Sequence, residues 1–416
     1  MTRKKIVVIG GGPAGLMAAG QAAAAGADVL LLEKMNRPGR KLSITGKGRC
    51  NLTNTAEITD FITHFDTTGR FLHQAFARFF TADLMMFFQN HGLELVTERG
   101  GRVFPASGHA TDVLQTLQRW LKKCGVQSRN SSPVEKLLTN KGQVTGVVAG
   151  GQEYTADAVI LATGGASYPA TGSTGDGYTL ATAVGHTLIP IRPALVPLET
   201  AGNTAGRMAE LNLRNIRVRM LLDGKKSKED FGELTFTPFG VSGPVILTLS
   251  GIAVDALIKK QTVEFCLDLK PALDEKKLDA RLLRDIAARG KEPFSSLLRG
   301  LLPREMVPVC ADATGIPSER LASSINAKER RRLRTWLKNF RLQVTKARPL
   351  DEAIITAGGI DTKEIDPRTM ASRKSRGLFM AGEILDLQAD TGGYNLQAAF
   401  STGWLAGRSA ADHSIP

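Results

Sequence analysis

Ile6-Val7-Val8-Ile9-Gly10-Gly11-Gly12-Pro13-Ala14-Gly15 is an apolar strand that runs into a glycine turn, and the alanine-rich stretch behind it reads as a helix. That order gives each glycine a task. Gly10 permits the tight turn off the strand, Gly12 lets the backbone approach a pyrophosphate, and Gly15 lets the helix lie close on the sheet. The helix N-terminus then points free N–H groups at phosphate. A second strand, Val29-Leu30-Leu31-Leu32, ends at Glu33, about 20 residues beyond the glycines, where an acid takes a ribose hydroxyl. The segment predicts an α/β dinucleotide fold with Gly10, Gly12, Ala14, Gly15, Glu33 and the adjoining Lys34 at the cofactor.

The chain has 416 residues, 42% hydrophobic and 23% charged, which leaves room for two or three domains with their own cores. A formal net charge of +14 is less ordinary and implies a field that attracts polyanions. Arg3, Lys4 and Lys5 ahead of an apolar run imitate a targeting signal, but glycines, Pro13 and Asp28 interrupt the run, and cleavage there would destroy the phosphate turn. No other stretch has the uninterrupted apolar length to span a bilayer. Cys50, Cys124, Cys266 and Cys310 form no CxxC, and His64, His73, His91, His109, His186 and His413 lack metal spacing. The expectation is a cytoplasmic protein with neither a membrane nor a metal partner.

Further along, Pro133–Leu138 and Gln143–Val148 read as a hairpin or meander, and Ala158–Leu161 as a buried strand that stops at Ala162-Thr163-Gly164-Gly165. In flavoproteins of the two-dinucleotide type such a stop lies beside the first strand, on the adenine side of FAD. Near the C-terminus, Gly377–Ala381 runs into Gly382-Glu383, where an acid commonly binds the ribityl chain; Glu stands where Asp is commoner, so the contact shifts outward or passes to Asp386. Asp390-Thr391-Gly392-Gly393-Tyr394-Asn395-Leu396-Gln397 opens the last helix, which continues to about Arg408. Gly392 and Gly393 allow backbone against a flat ring, and the positive pole of the helix suits the negative edge of a reduced flavin. Residues 391 to 397, with Asn395 and Leu396, are thus the expected ring seat. The cofactor domain is discontinuous, residues 1–192 and 342–416, the second part entered by a returning β-strand. Between them, 193–273 alternate as short strands of an antiparallel sheet or barrel, and 274–341 turn helical, with Leu278, Leu282, Leu283, Ile286 and later Leu333, Trp336, Leu337, Phe340 at helical spacing.

Four stretches together resemble the BaiN/RdsA family of NAD(P)/FAD-dependent oxidoreductases: Lys41–Asn54 (KLSITGKGRCNLTN), Gly172–Gly177 (GSTGDG), Thr237–Pro244 (TPFGVSGP) and Asp390–Asn395 (DTGGYN). The resemblance spans essentially the whole chain; Ala389 stands where the family usually has Gly. It implies a Rossmann-like FAD-binding α/β domain of the glutathione-reductase type carrying inserted antiparallel β and helical parts. One branch of the family is associated with reduction of a large-subunit ribosomal RNA uridine to dihydrouridine, another with reductive steps on bile acids.

Saturating a C5=C6 bond takes a hydride from reduced flavin and a proton from an acid. Cys50 is the candidate acid because its loop follows the ribose-binding strand; the competing reading is a small buried hydrophobe. Lys41, Gly46, Arg49 and Cys50 of this loop are also expected at the cofactor, with Lys47 and Arg49 on a phosphate or a uracil carbonyl. On the stretch from Lys328 to Arg341, an apolar stripe leaves Arg331, Arg334, Lys338 and Arg341 on another face suited to RNA phosphates, and Arg214, Arg217, Arg219, Lys225, Lys226 and Lys228 add charge nearby. Three functions follow: an NADH- or NADPH-driven uridine reductase acting on 23S ribosomal RNA, a small-molecule ene-reductase of bile-acid or steroid type, and an FAD-containing RNA-binding assembly factor. No second GxGxxG marks a separate nicotinamide domain.

Overall fold

The fold, taken from a computed structural model, is described for residues 3–65 and 68–412; His413 lies outside them. Two compact units divide the chain, Met1–Pro193 with Leu350–Pro416, and Ala194–Pro349. Along the sequence the first unit begins with β1 (Lys5–Ile9), α1 (Pro13–Ala24), β2 (Asp28–Leu32), α2 (Arg40–Gly48), β3 (Gln127–Arg129) and β4 (Ala158–Leu161). The second unit supplies β5 (Leu198–Thr200), β6 (Asn212–Leu222), β7 (Lys225–Thr237), β8 (Gly240–Ser242), α3 (Pro244–Ile258) and β9 (Val263–Asp268). It continues through α4 (Glu275–Ala288), α5 (Ala327–Lys338) and β10 (Phe340–Ala347). The first unit closes with β11 (Leu378–Met380) and α6 (Tyr394–Ala411).

In the first unit five strands pair in parallel in the order β11-β4-β1-β2-β3. A parallel sheet is covered on both faces, which is why β1 is apolar at successive positions. Ile6 and Val8 join the core beneath α1 and α6, whereas Val7 and Ile9 join the opposite core with Val134, Val144 and Val147 of the expected meander. α1 and α6 meet backbone to backbone: a Cβ on Gly403 would lie 2.3 Å from the carbonyl oxygen of Ala14, and one on Gly407 2.3 Å from that of Ala18.

The second unit is a closed antiparallel barrel in the order β5-β8-β7-β6-β9-β10. Two expectations change here. Pro244–Ile258, inside the stretch read as strands, is a helix, apolar nearly all round and therefore without the polar face that a period of 3.6 needs to show itself. The return to the first unit falls after Pro349, not at 342, because Phe340, Leu342 and Val344 bury alternately as the last barrel strand.

Gly403→Ala should destabilise the first unit by about 1 kcal/mol. Alanine gains about 1 kcal/mol in helix propensity, but overpacking against a fixed carbonyl costs 1–3 kcal/mol or more. A urea midpoint at or above that of wild type would show that the two helices part freely.

Candidate functional site

The turn after β1 is tight for backbone reasons. Gly10 has φ +102°, and a Cβ there would meet the Ala162 carbonyl oxygen at 2.5 Å; a Cβ on Gly15 would fall 1.8 Å from the Gly10 oxygen. Gly12 is the opposite case, with nothing within 4 Å of its missing Cβ. α1 starts there with Pro13 and no side-chain cap, so the first-turn N–H groups of Ala14 and Gly15 have no intrahelical acceptor. Glu33, 9% exposed, accepts from the N–H of Gly11 at 2.7 Å and of Met35 at 2.8 Å, which fixes its carboxylate beside the turn. Lys34 reaches Asp176 at 3.0 Å and the Thr174 hydroxyl, tying the GSTGDG loop to the end of β2.

Glu383 follows β11 and is held by Lys41 Nζ at 2.8 Å, by the Thr356 N–H at 2.9 Å and by the Ser167 hydroxyl at 3.3 Å. These donors fix its position at the end of the strand. The N–H of Gly382 donates to Thr402 Oγ1 at 3.0 Å, and a Cβ on Gly382 would be 2.7 Å from that of Ala14. At the start of α6, Gly393 has φ +102° and no room for a Cβ, which would sit 2.4 Å from the Thr53 oxygen. Asn54 donates to the Gly392 carbonyl at 3.1 Å. Asn395 accepts from the Ala389 N–H and donates to the Ala389 carbonyl, both at 2.9 Å. Its side chain therefore builds the turn, and it is the first-turn N–H groups of Asn395 and Leu396 that remain for a ligand.

The residues of this unit fit a dinucleotide. Space is open at Gly12, and buried oxygens without a hydrogen-bond partner, Asn51 Oδ1, Thr163 Oγ1, Gln388 Oε1 and Gln397 Oε1, lie on the segments expected at the cofactor or beside them. Sequence reading gave no role to Ser167, Thr356 and Thr402, single polar residues in no pattern. It also missed His64, which stacks on Tyr394 at 3.8 Å and binds Asp390 at 3.2 Å, bracing the turn before α6.

The end of α2 is kinked, and with the residues behind it behaves differently from expectation. Gly46 and Lys47 are both left-handed, at φ +59° and +57°, and Cys50 follows at φ +59°. Cys50 has 0% exposure and belongs to the core with Leu42 and Leu52; burial pushes its thiol up to about 12. Its surroundings are those of a packing residue. Arg49 lies over the Phe104 ring at 4.3 Å and pairs with Glu98, so its charge is committed at a half-exposed rim.

In the second unit the four expected RNA contacts do not share one free face. Arg334 pairs with Asp279 at 3.3 Å and with Glu275 at 3.5 Å; Lys338 pairs with Asp268 at 2.6 Å and donates to two carbonyls. Arg341 belongs to β10 rather than the helix, because α5 ends at Lys338, and it pairs with Glu264 at 3.0 Å. Only Arg331 projects from α5 as expected. Among the described residues no helix is long and apolar enough to cross a membrane, and no three His, Cys, Asp or Glu side chains gather to hold a metal. Lys338→Gln strips the buried Asp268 of its cation and should cost about 3 kcal/mol. An unchanged denaturation midpoint would return Lys338 to the set of free surface cations.

Comparison with known proteins agrees with this geometry. A 3-dehydro-bile acid delta(4,6)-reductase of Clostridium scindens is 33% identical over 98% of this chain and 99% of its own. Ribosomal RNA dihydrouridine synthases of Escherichia coli and Haemophilus influenzae are 29% and 28% identical, each over 97% of both chains. Among solved structures, the open conformation of a flavocytochrome c3 fumarate reductase matches with TM-score 0.51 at 19% identity, over 100% of this chain and 79% of that one. A 3-ketosteroid delta1-dehydrogenase from Sterolibacterium denitrificans matches with TM-score 0.52 at 13% identity, over 99% and 100%. At those identities the likeness is one of fold. The model of the HI0933-like protein Rossmann domain matches residues 4–409, and the chain belongs to that family.

Proposed function

We propose that this protein is an FAD-dependent oxidoreductase that uses NADH or NADPH to reduce the C5=C6 bond of a uridine in 23S ribosomal RNA to dihydrouridine. The cofactor reading rests on the open cradle at Gly12 framed by fixed glycines. The first turn of α1 and Gly12 would hold the pyrophosphate, Glu33 the ribose, Thr163 and Gly164 the adenine side, Gly382 and Glu383 the ribityl chain, and residues 391 to 396 the ring. Bound FAD supplies hydride transfer. The chain's own part is to fix that group through backbone N–H donors and helix poles, which need no reorganisation when charge develops.

For the substrate, the observation that carries the RNA reading is the formal charge of +14, which a reductase of free small molecules has no need of. Similarity to two ribosomal RNA dihydrouridine synthases along the whole chain supports it. A second reading, reduction of a steroid-like ene substrate, is favoured by the 33% identity to the bile-acid reductase. An assembly factor with incidental redox activity is the third. Mass spectrometry of ribosomal RNA from cells lacking the gene separates them: the RNA reading expects one dihydrouridine to disappear, and an unaltered modification profile would refute it.

The purified protein should be yellow with FAD, and Gly12→Val should lose the flavin while keeping the fold, since a Cβ at this position meets no protein atom within 4 Å and the branched side chain takes up cradle space. A wild-type protein that folds, lacks flavin and cannot be reconstituted with FAD would end the cofactor reading. Cys50→Ala tests the acid. As a packing residue it should leave turnover within a few-fold of wild type and lower stability by about 1 kcal/mol. A loss of about 10²-fold or more with FAD still bound and reducible would establish a proton donor at this position instead.

A further inference from the structure

α4 turns opposite charges to opposite sides. Glu275 and Asp279 meet Arg334, and Asp279 also takes Arg330 at 3.1 Å, so two of α4's three acids are spent on α5 and only Asp285 stays on the other side. Leu278 and Leu282 are buried. Lys277, Arg281 and Arg284 recur at i, i+4 and i+7, one side of a helix spanning about 10 Å. With Leu273, Ala280 and Asp285 they line a concavity of about 540 Å³.

The cations of this concavity outnumber their acids. Lys277 reaches Asp274 only at 3.8 Å, with both side chains well exposed, a pair worth little. Arg281 meets Asp285 at 3.6 Å and donates to the Gly300 carbonyl at 3.3 Å. Arg284 makes no ion pair among the described residues, and neither does the half-buried Lys270. Burial, and then the positive charge of Arg281, hold the Lys270 ammonium below its usual range. Four cations, Lys270, Lys277, Arg281 and Arg284, thus face two acids, Asp274 and Asp285; like charges in excess repel, and an anion laid along the concavity relieves it.

We propose that Lys277, Arg281 and Arg284 form the surface on which the phosphate backbone of an RNA substrate rests. This inference rests on the RNA reading of the function. The occupant is argued from charge: a row of cations at helical spacing in a chain of net charge +14 matches a regular polyanion. The stripe differs from the expected one on α5, where Arg334 and Lys338 are largely buried and held at 3.3 and 2.6 Å by Asp279 and Asp268, whereas Lys277 is exposed and only loosely paired and Arg284 is exposed and has no ion pair among the described residues.

The test is binding of a transcribed 23S ribosomal RNA fragment to the flavin-loaded protein between about 50 and 200 mM salt. Variants are Lys277→Gln with Arg284→Gln, then Arg281→Gln added, and Arg331→Gln with Arg332→Gln on α5 for comparison. The double and triple variants should flatten the log–log salt slope by about two and three units. Flavin content and thermal midpoint should stay those of wild type; the double variant touches only exposed side chains and so keeps the test valid should the triple unfold. A double variant with the wild-type slope would overturn this surface while leaving the RNA reading intact. A wild-type protein with no salt-dependent RNA affinity would overturn both.

Discussion

The contact on which the cofactor unit depends is the one between its first and last helices, where Gly403 and Gly407 put α6 against the carbonyls of Ala14 and Ala18. Side chains do not separate them, so there is no soft layer to absorb a shift. The same helix begins at Gly393, pressed on Thr53, and the same α1 begins at Gly12, pressed through Gly15 onto Gly10. Gly382 touches Ala14 between these points. Phosphate turn, acid turn and ring seat are therefore parts of one close-packed body, and close-packed interiors transmit displacement rather than damp it.

That body was legible where local chemistry and tertiary demand coincide. A strand buried on both faces must be continuously apolar, and a turn with φ near +100° must be glycine, so Ile6–Gly15 announces both its structure and its use. The pair Gly403 and Gly407 went unread, because small residues four apart on an apolar helix name no partner locally. α3 was misread because a helix buried nearly all round carries no periodic polar signal, and the last barrel strand because Asn339 ends α5 only one residue before a new period of two begins. At Asn395 the side chain's task was hidden while the backbone N–H stays open to a ligand. A polar residue in a glycine turn looks like a ligand contact, yet its amide is used up on Ala389, closing the loop that the ligand would meet.

Charge was the least legible property. Arg334 and Lys338 stand on α5 in a run of cations, and the acids that neutralise them are on α4 and at the end of β9, distant in sequence. A cation count is additive along a chain; the field is not, because each buried pair removes two charges from the surface. The residues left over define where a polyanion is attracted, and these are set by how α4 and α5 pack.

This division bears on substrate. The cofactor cradle is made of backbone and glycine, and it offers the same chemistry to a planar steroid as to an extruded base. Choice between them has to come from groups that meet the remainder of the substrate. A steroid is satisfied by an apolar slot, whereas a uridine in RNA brings phosphates whether or not they react, and turning the base out of a folded strand costs a few kcal/mol that backbone contacts must offset. A row on α4 whose cations exceed their acids offers such contacts along about 10 Å of helix. It sits in the barrel unit, outside the sequence segments that form the cradle, so substrate class is free to change between relatives while the flavin-binding chemistry stays the same.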